Sequence, residues 1–115
     1  ISACYAGGFI PALRDDYTIV LAAAAADRTS FGCSNDRDLT YFGEALFRDA
    51  LPRAASLPAA FSSAAAALAK RESAEHETPS QPQAFYGEKI LAHLAALERS
   101  RAAITTTPVV AAASP

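Results

Sequence analysis

The run Thr18-Ile19-Val20-Leu21-Ala22-Ala23-Ala24 constrains this chain more than any other stretch. It opens on β-branched residues and shows no polar alternation. Such a run suits a strand covered on both faces, as in a parallel sheet between helical layers. The helix propensity of its alanines argues the other way. The β-branched start, and the polar stretch Asp27 to Asp38 that follows, favour the strand.

The neighbouring segments fit the same layering. Ile1 to Ala3 read as the end of another buried parallel strand, and Tyr5 to Leu13 as a loop with a helical turn limited by Pro11. Leu39 to Leu51 reads as a helix with Tyr41, Phe42, Ala45, Leu46 and Leu51 on one face, ended by Pro52. Ser56 caps a second helix reaching about Ala74, with Pro58 in its first turn and Leu57, Phe61, Ala64, Ala65 and Leu68 inward. His76 to Gln81 is a polar loop. Pro82 to Gly87 reads as a short edge strand, because Pro82 has no N–H to give a ladder. Glu88 to Arg101 is a last helix with Ile90, Leu91, Leu94 and Leu97 inward. This order predicts an α/β layer fold. Three strands are too few to close a two-sided core, so further strands are expected upstream of Ile1. Without them the exposed edge should self-associate or take up the missing part.

Length and composition narrow the possibilities. The 115 residues make one domain at most, expected over residues 1–103, with the Thr/Ala/Pro-rich residues 104–115 as a disordered tail. The net charge is −2 and no basic stripe occurs, so nucleic acid is not an expected partner. No apolar run approaches the ~20 residues of a membrane span. The chain contains no methionine and starts abruptly, which predicts a piece of a longer protein. Its two cysteines make no disulfide framework, and no CxxC, HxxxH or HExxH occurs, so neither a metal nor another cofactor is expected.

Chemistry centres on Cys4. A short apolar lead-in ends at this thiol, and Gly7 and Gly8 follow. Ligands of open α/β sheets bind just outside the carboxyl ends of the strands. Cys4 reads either as a nucleophile or as a small buried hydrophobe; the glycines tip it toward chemistry. A catalytic thiol needs a histidine. His76 reads as a solvated loop residue and His93 as structural on a helix flank, so the base is expected in another segment. The loop at 27–38 is a solvated connector or a set of hydrogen-bond donors for a ligand. Glu44 is either an acid suited to a positive helix end or a pocket acid. A redox pair of Cys4 and Cys33 is a third possibility, provided their Cα atoms lie within about 7 Å.

Four blocks in order resemble the legumain-like cysteine peptidases of family C13, particularly a bacterial branch. They are Ser2-Ala3-Cys4-Tyr5-Ala6-Gly7-Gly8-Phe9, Ala24 to Cys33, Thr40-Tyr41-Phe42-Gly43-Glu44-Ala45-Leu46 and Pro82-Gln83-Ala84-Phe85-Tyr86-Gly87. The resemblance implies the C-terminal part of a caspase-like α/β/α sandwich on a mostly parallel sheet. It implies a cysteine endopeptidase acting on peptide or protein substrates, with Cys4 as nucleophile and the histidine of a His-Gly segment upstream. It implies substrate-binding roles for Ser30, Phe31 and Glu44, with Asn or Asp before the cleaved bond. Ser2 departs from the family, which carries glutamate two residues before the cysteine. The alternative is a non-catalytic pseudo-peptidase or protein-binding module.

Overall fold

The structure, a computed structural model, describes residues 1–106. After the extended lead-in, a 3-10 turn at Ala6–Phe9 runs into the short helix α1, Ile10–Leu13. Strand β1, Ile19–Ala22, follows. Helix α2, Tyr41–Gly43, widens at once into a π-helical stretch, Glu44–Ala50, and tightens to a 3-10 turn at Leu51–Arg53. Helix α3 is Leu57–Ala74, strand β2 is Gln83–Tyr86 and helix α4 is Glu88–Thr106.

Mixed helix and strand agrees with the α/β expectation, but the sheet does not. The described residues form a two-stranded antiparallel sheet, with Ile19 opposite Tyr86 and Ala22 opposite Gln83. The connection explains the polarity. Between β1 and β2 the chain makes two helical passes, and Arg71 late in α3 meets Glu44 at the start of the preceding helical segment. Two passes in opposite directions bring the chain back for an antiparallel strand, whereas a single crossover helix gives a parallel one. Nor is the strand covered on both faces: Val20 and Ala22 are buried, while Ile19 and Leu21 on the other face are only half-buried.

Ile1 to Ala3 form no strand of their own. Even so, the Ile1 amino group donates to the Leu21 carbonyl at 2.7 Å, and the Ala23 N–H donates to the Ile1 carbonyl at 3.0 Å. Two bonds from one residue to positions two apart make the rung of a parallel pair. They lie on the edge of β1 away from β2.

The core lies between β1, the helical segment 41–50 and α3. Ala23, Phe42, Ala45, Leu46, Ala60, Phe61, Ala64 and Leu68 are buried there. The Phe42 and Phe61 rings meet edge to face at 6.3 Å, a contact worth about 0.5–1.5 kcal/mol beyond its buried area. Ala60 and Ala64 are fully buried, and their small side chains let the helices approach closely. The ends of α3 form as their residues dictate. Ser56 Oγ accepts the Ala59 N–H at 3.2 Å and Pro58 occupies the first turn.

Helix α4 differs from expectation in two respects. It continues to Thr106 rather than ending at Arg101. Its apolar stripe is not buried: Leu91 and Leu97 are exposed, and Ile90 and Leu94 are only half-buried. The helix is fixed at its start, where the Asp16 carbonyl accepts the N–H groups of Lys89 and Ile90. The expected tail lies, beyond Thr106, outside the described residues.

Candidate active site

Cys4 sits where the lead-in turns toward Ala6–Phe9. The reversal falls on Tyr5, which adopts the left-handed region at φ 58°. Gly7 and Gly8 are not needed for the turn. Gly7 is needed for proximity: a Cβ there would lie 2.9 Å from the Ala26 nitrogen and 3.0 Å from the Ala24 oxygen, both backbone atoms. The turn is tied to the segment after β1 by main-chain bonds. The Gly7 N–H donates to the Ala24 carbonyl and the Tyr5 N–H to the Arg28 carbonyl, each at 2.8 Å. With the Ala23 to Ile1 bond, these bracket Cys4 on both sides.

The sulfur is part-buried and oriented. Ser30 donates its N–H to Cys4 Sγ at 3.2 Å, and the thiol points at the Ser30 carbonyl at 3.6 Å. Among the described residues the Cys4 N–H has no partner, and neither does the buried Ser30 Oγ. Cys4 and Cys33 are both free thiols, and Cys33 is exposed, so they form no disulfide pair.

The second wall begins one residue further on. Phe31 is half-buried and its carbonyl accepts the Tyr41 N–H at 3.1 Å. Gly32, at φ 86°, makes room for Tyr41; a Cβ would lie 2.5 Å from the ring. Thr40 Oγ1 caps the helix by accepting the Gly43 N–H at 3.0 Å and shares a hydrogen bond of 2.7 Å with Ser2 Oγ. The residue that departs from the family pattern is thus drawn to the helix cap.

Glu44 lies one turn into that helix, but its carboxylate is already engaged. Oε1 pairs with Arg37 and Arg48, and Oε2 pairs with Arg71 at 2.9 Å. Its side chain is 16% exposed. The bond from Arg71, then the charges of Arg37 and Arg48, hold its carboxyl below the ordinary value. The Arg71 guanidinium also stacks 3.4 Å over the Tyr41 ring, and Arg37 lies 4.8 Å from it. Three arginines thus share this carboxylate. No bond joins it to Cys4, Ser30 or Phe31 among the described residues.

The structure therefore brings Cys4 and Ser30 into direct contact, places Phe31 beside them and turns Glu44 aside. His76 and His93 are exposed, and neither bonds to Cys4. Arg37, Tyr41 and Arg71 escaped sequence reasoning as a group. The i,i+4 spacing of Glu44 with Arg48 and of Arg71 with Glu75 was legible, but the contact from Arg71 back to Glu44 spans two helices. Among the described residues no group of three or more His, Cys, Asp or Glu could hold a metal ion. No described helix is long and apolar enough to cross a membrane.

A partly exposed thiol held by a main-chain N–H, with its own N–H unpaired among the described residues, has the types of group that acyl transfer through a thiol uses. The model of the Peptidase C13 family matches residues 1–92. No curated protein and no solved structure matches the chain.

Proposed function

We propose that this chain, which belongs to the Peptidase C13 family, carries the nucleophile side of a cysteine endopeptidase site. Cys4 Sγ bonds to the carbonyl carbon of a peptide. A histidine from polypeptide outside residues 1–115 protonates the leaving amine, and water hydrolyses the thioester. The Cys4 N–H receives the oxyanion; removal of one such donor typically costs ~10²–10³ in rate. Ser30 and Phe31 line the substrate cleft, with Asn or Asp before the cleaved bond. Glu44 joins that cleft when an arginine is displaced from it.

The observation that carries this reading is the sulfur held by the Ser30 N–H next to a Cys4 N–H that has no partner among the described residues. The external histidine is supported by the exposure of His76 and His93. The parallel rung made by Ile1 on β1 supports further strand pairing at that edge. The isolated chain should have no useful turnover. The test is labelling of the intact protein with an Asn- or Asp-directed electrophile. Label should reach the wild type and be lost in Cys4→Ala; label that survives the substitution rejects Cys4 as nucleophile.

A non-catalytic binding module is the second reading, favoured by the engagement of Glu44 with three arginines. An intact protein with no His-Gly segment after an upstream strand would select it.

A further inference from the structure

We infer that Glu72 is a positioning residue for Cys4, an inference that rests on the reading of Cys4 as the nucleophile. Glu72 lies in the last turn of α3 and is only 1% exposed. A carboxylate there faces two penalties. Burial removes it from water, and the carbonyl end of a helix disfavours negative charge. Among the described residues no ion pair to Glu72 occurs; the ion pairs of α3 belong to Arg71. A residue kept under those penalties is expected to hold something in place.

What it holds is Ser80. The Ser80 N–H donates to Glu72 Oε2 at 3.1 Å, and Ser80 is itself 1% exposed. The Ser80 carbonyl accepts the Ala25 N–H at 2.9 Å. Ala25 belongs to the short segment whose other face anchors the turn around Cys4. Ala24 accepts from Gly7, Ala25 accepts from Arg28, and Arg28 accepts from Tyr5. The path from the buried carboxylate to the residues flanking the thiol therefore runs through main-chain bonds and one loop residue. The Glu77 N–H bonds to the Glu72 carbonyl at 2.8 Å, so the loop is pinned to this residue at both ends.

The role requires an acceptor oxygen at the right reach rather than a charge. Glu72 Oε1 and Ser80 Oγ are both buried without a partner among the described residues. Glutamine at position 72 can accept from the Ser80 N–H through its amide oxygen, while its amide nitrogen takes the place of the orphan Oε1 and can donate toward Ser80 Oγ. Aspartate keeps the carboxyl group but withdraws the acceptor by about 1.5 Å.

The test compares Glu72→Gln and Glu72→Asp with the unsubstituted chain by iodoacetamide labelling. Exposed Cys33 serves as the reference thiol in the same molecule. In Glu72→Gln the ratio of Cys4 to Cys33 labelling rates should match the wild type. In Glu72→Asp it should move several-fold toward unity while the melting transition stays cooperative. Equal ratios in all three chains, or a wild-type ratio in Asp with a shifted one in Gln, overturns the inference.

Hydrogen exchange tests it by a second readout. The amides of Ser80, Ala25, Gly7 and Tyr5 should open together, and Asp at position 72 should lower their protection by up to about tenfold. Independent opening of Ser80 and Gly7 overturns it. These readouts need no turnover, so they stay distinct from the labelling result that would remove Cys4 from the chemistry.

Discussion

On one side of Cys4, the segment Ala23 to Arg28 is joined to Ile1, Tyr5 and Gly7 by main-chain hydrogen bonds. On the other side, Thr40 to Glu44 has a main-chain bond from Tyr41 to Phe31 and is otherwise joined to its surroundings by side chains: a shared hydroxyl bond to Ser2, stacked guanidinium groups and a carboxylate among three arginines. The first wall is held through its backbone: Ala23 and Ala24 are buried, and its charges, Asp27 and Arg28, lie at its more exposed end. The second is charged and partly wet. Backbone bonds between buried segments respond to the size of a side chain and hardly to salt. Ion pairs near the surface respond to salt and pH and are worth little individually. The thiol is thus fixed from its rigid side and met by its adjustable side.

The largest effect should come from Gly7→Ala, which pushes a methyl against backbone atoms that cannot rotate away. It should cost about 2–3 kcal/mol in denaturant unfolding and alter Cys4 labelling. A stable variant with unchanged labelling would break the contrast at its rigid end. Thr40→Ala removes the cap on the Gly43 N–H and the partner of Ser2. About 1 kcal/mol of stability should be lost, with labelling of Cys4 nearly unchanged. Arg71→Ala should cost about 0.5–1 kcal/mol, and the loss should shrink as salt rises. A salt-independent loss would show that packing over Tyr41, rather than charge, holds this wall.

The smallest and most selective effect is that of acid. The carboxyls of Glu44, Glu75 and Asp49 are all held below their ordinary values. The leading causes are Arg71 for Glu44, Tyr41 for Glu75 and Arg48 for Asp49. The unfolded chain therefore binds these protons more readily than the folded one. Their stabilisation is complete above the ordinary glutamate value of 4.5 and is lost as pH falls through the lowered folded values. Tyrosine fluorescence can follow this, since the chain has no tryptophan. Arg71→Ala should flatten the acid limb, and an unaltered limb would place the effect on the lowered carboxyls that Arg71 does not hold, Asp49 and Asp36.

Much of this was legible in the residues. The Ser56 cap, the Pro58 start and the inner face of α3 follow from local rules, and local rules need no partner. Placement of Cys4 before a reversal was legible too, although the reversal falls on Tyr5 rather than on the glycines. Strand direction was not, because an apolar run says nothing of polarity. The restraint on Glu44 was hidden for a similar reason: Arg71 lies 27 residues away, and only the antiparallel passage of α3 brings it back. The α4 stripe misled because apolar spacing marks a helix face without stating what covers it.

The anchors around the thiol have a consequence for how such a site can diverge. Those that position Tyr5 and Gly7 are main-chain atoms, while the side chains of Tyr5 and Phe9 point outward at 54% and 55% exposure. Mutation can rewrite the surface around the sulfur without moving the sulfur. Inheritance of the nucleophile's location and drift of its surroundings are therefore separable over evolutionary time.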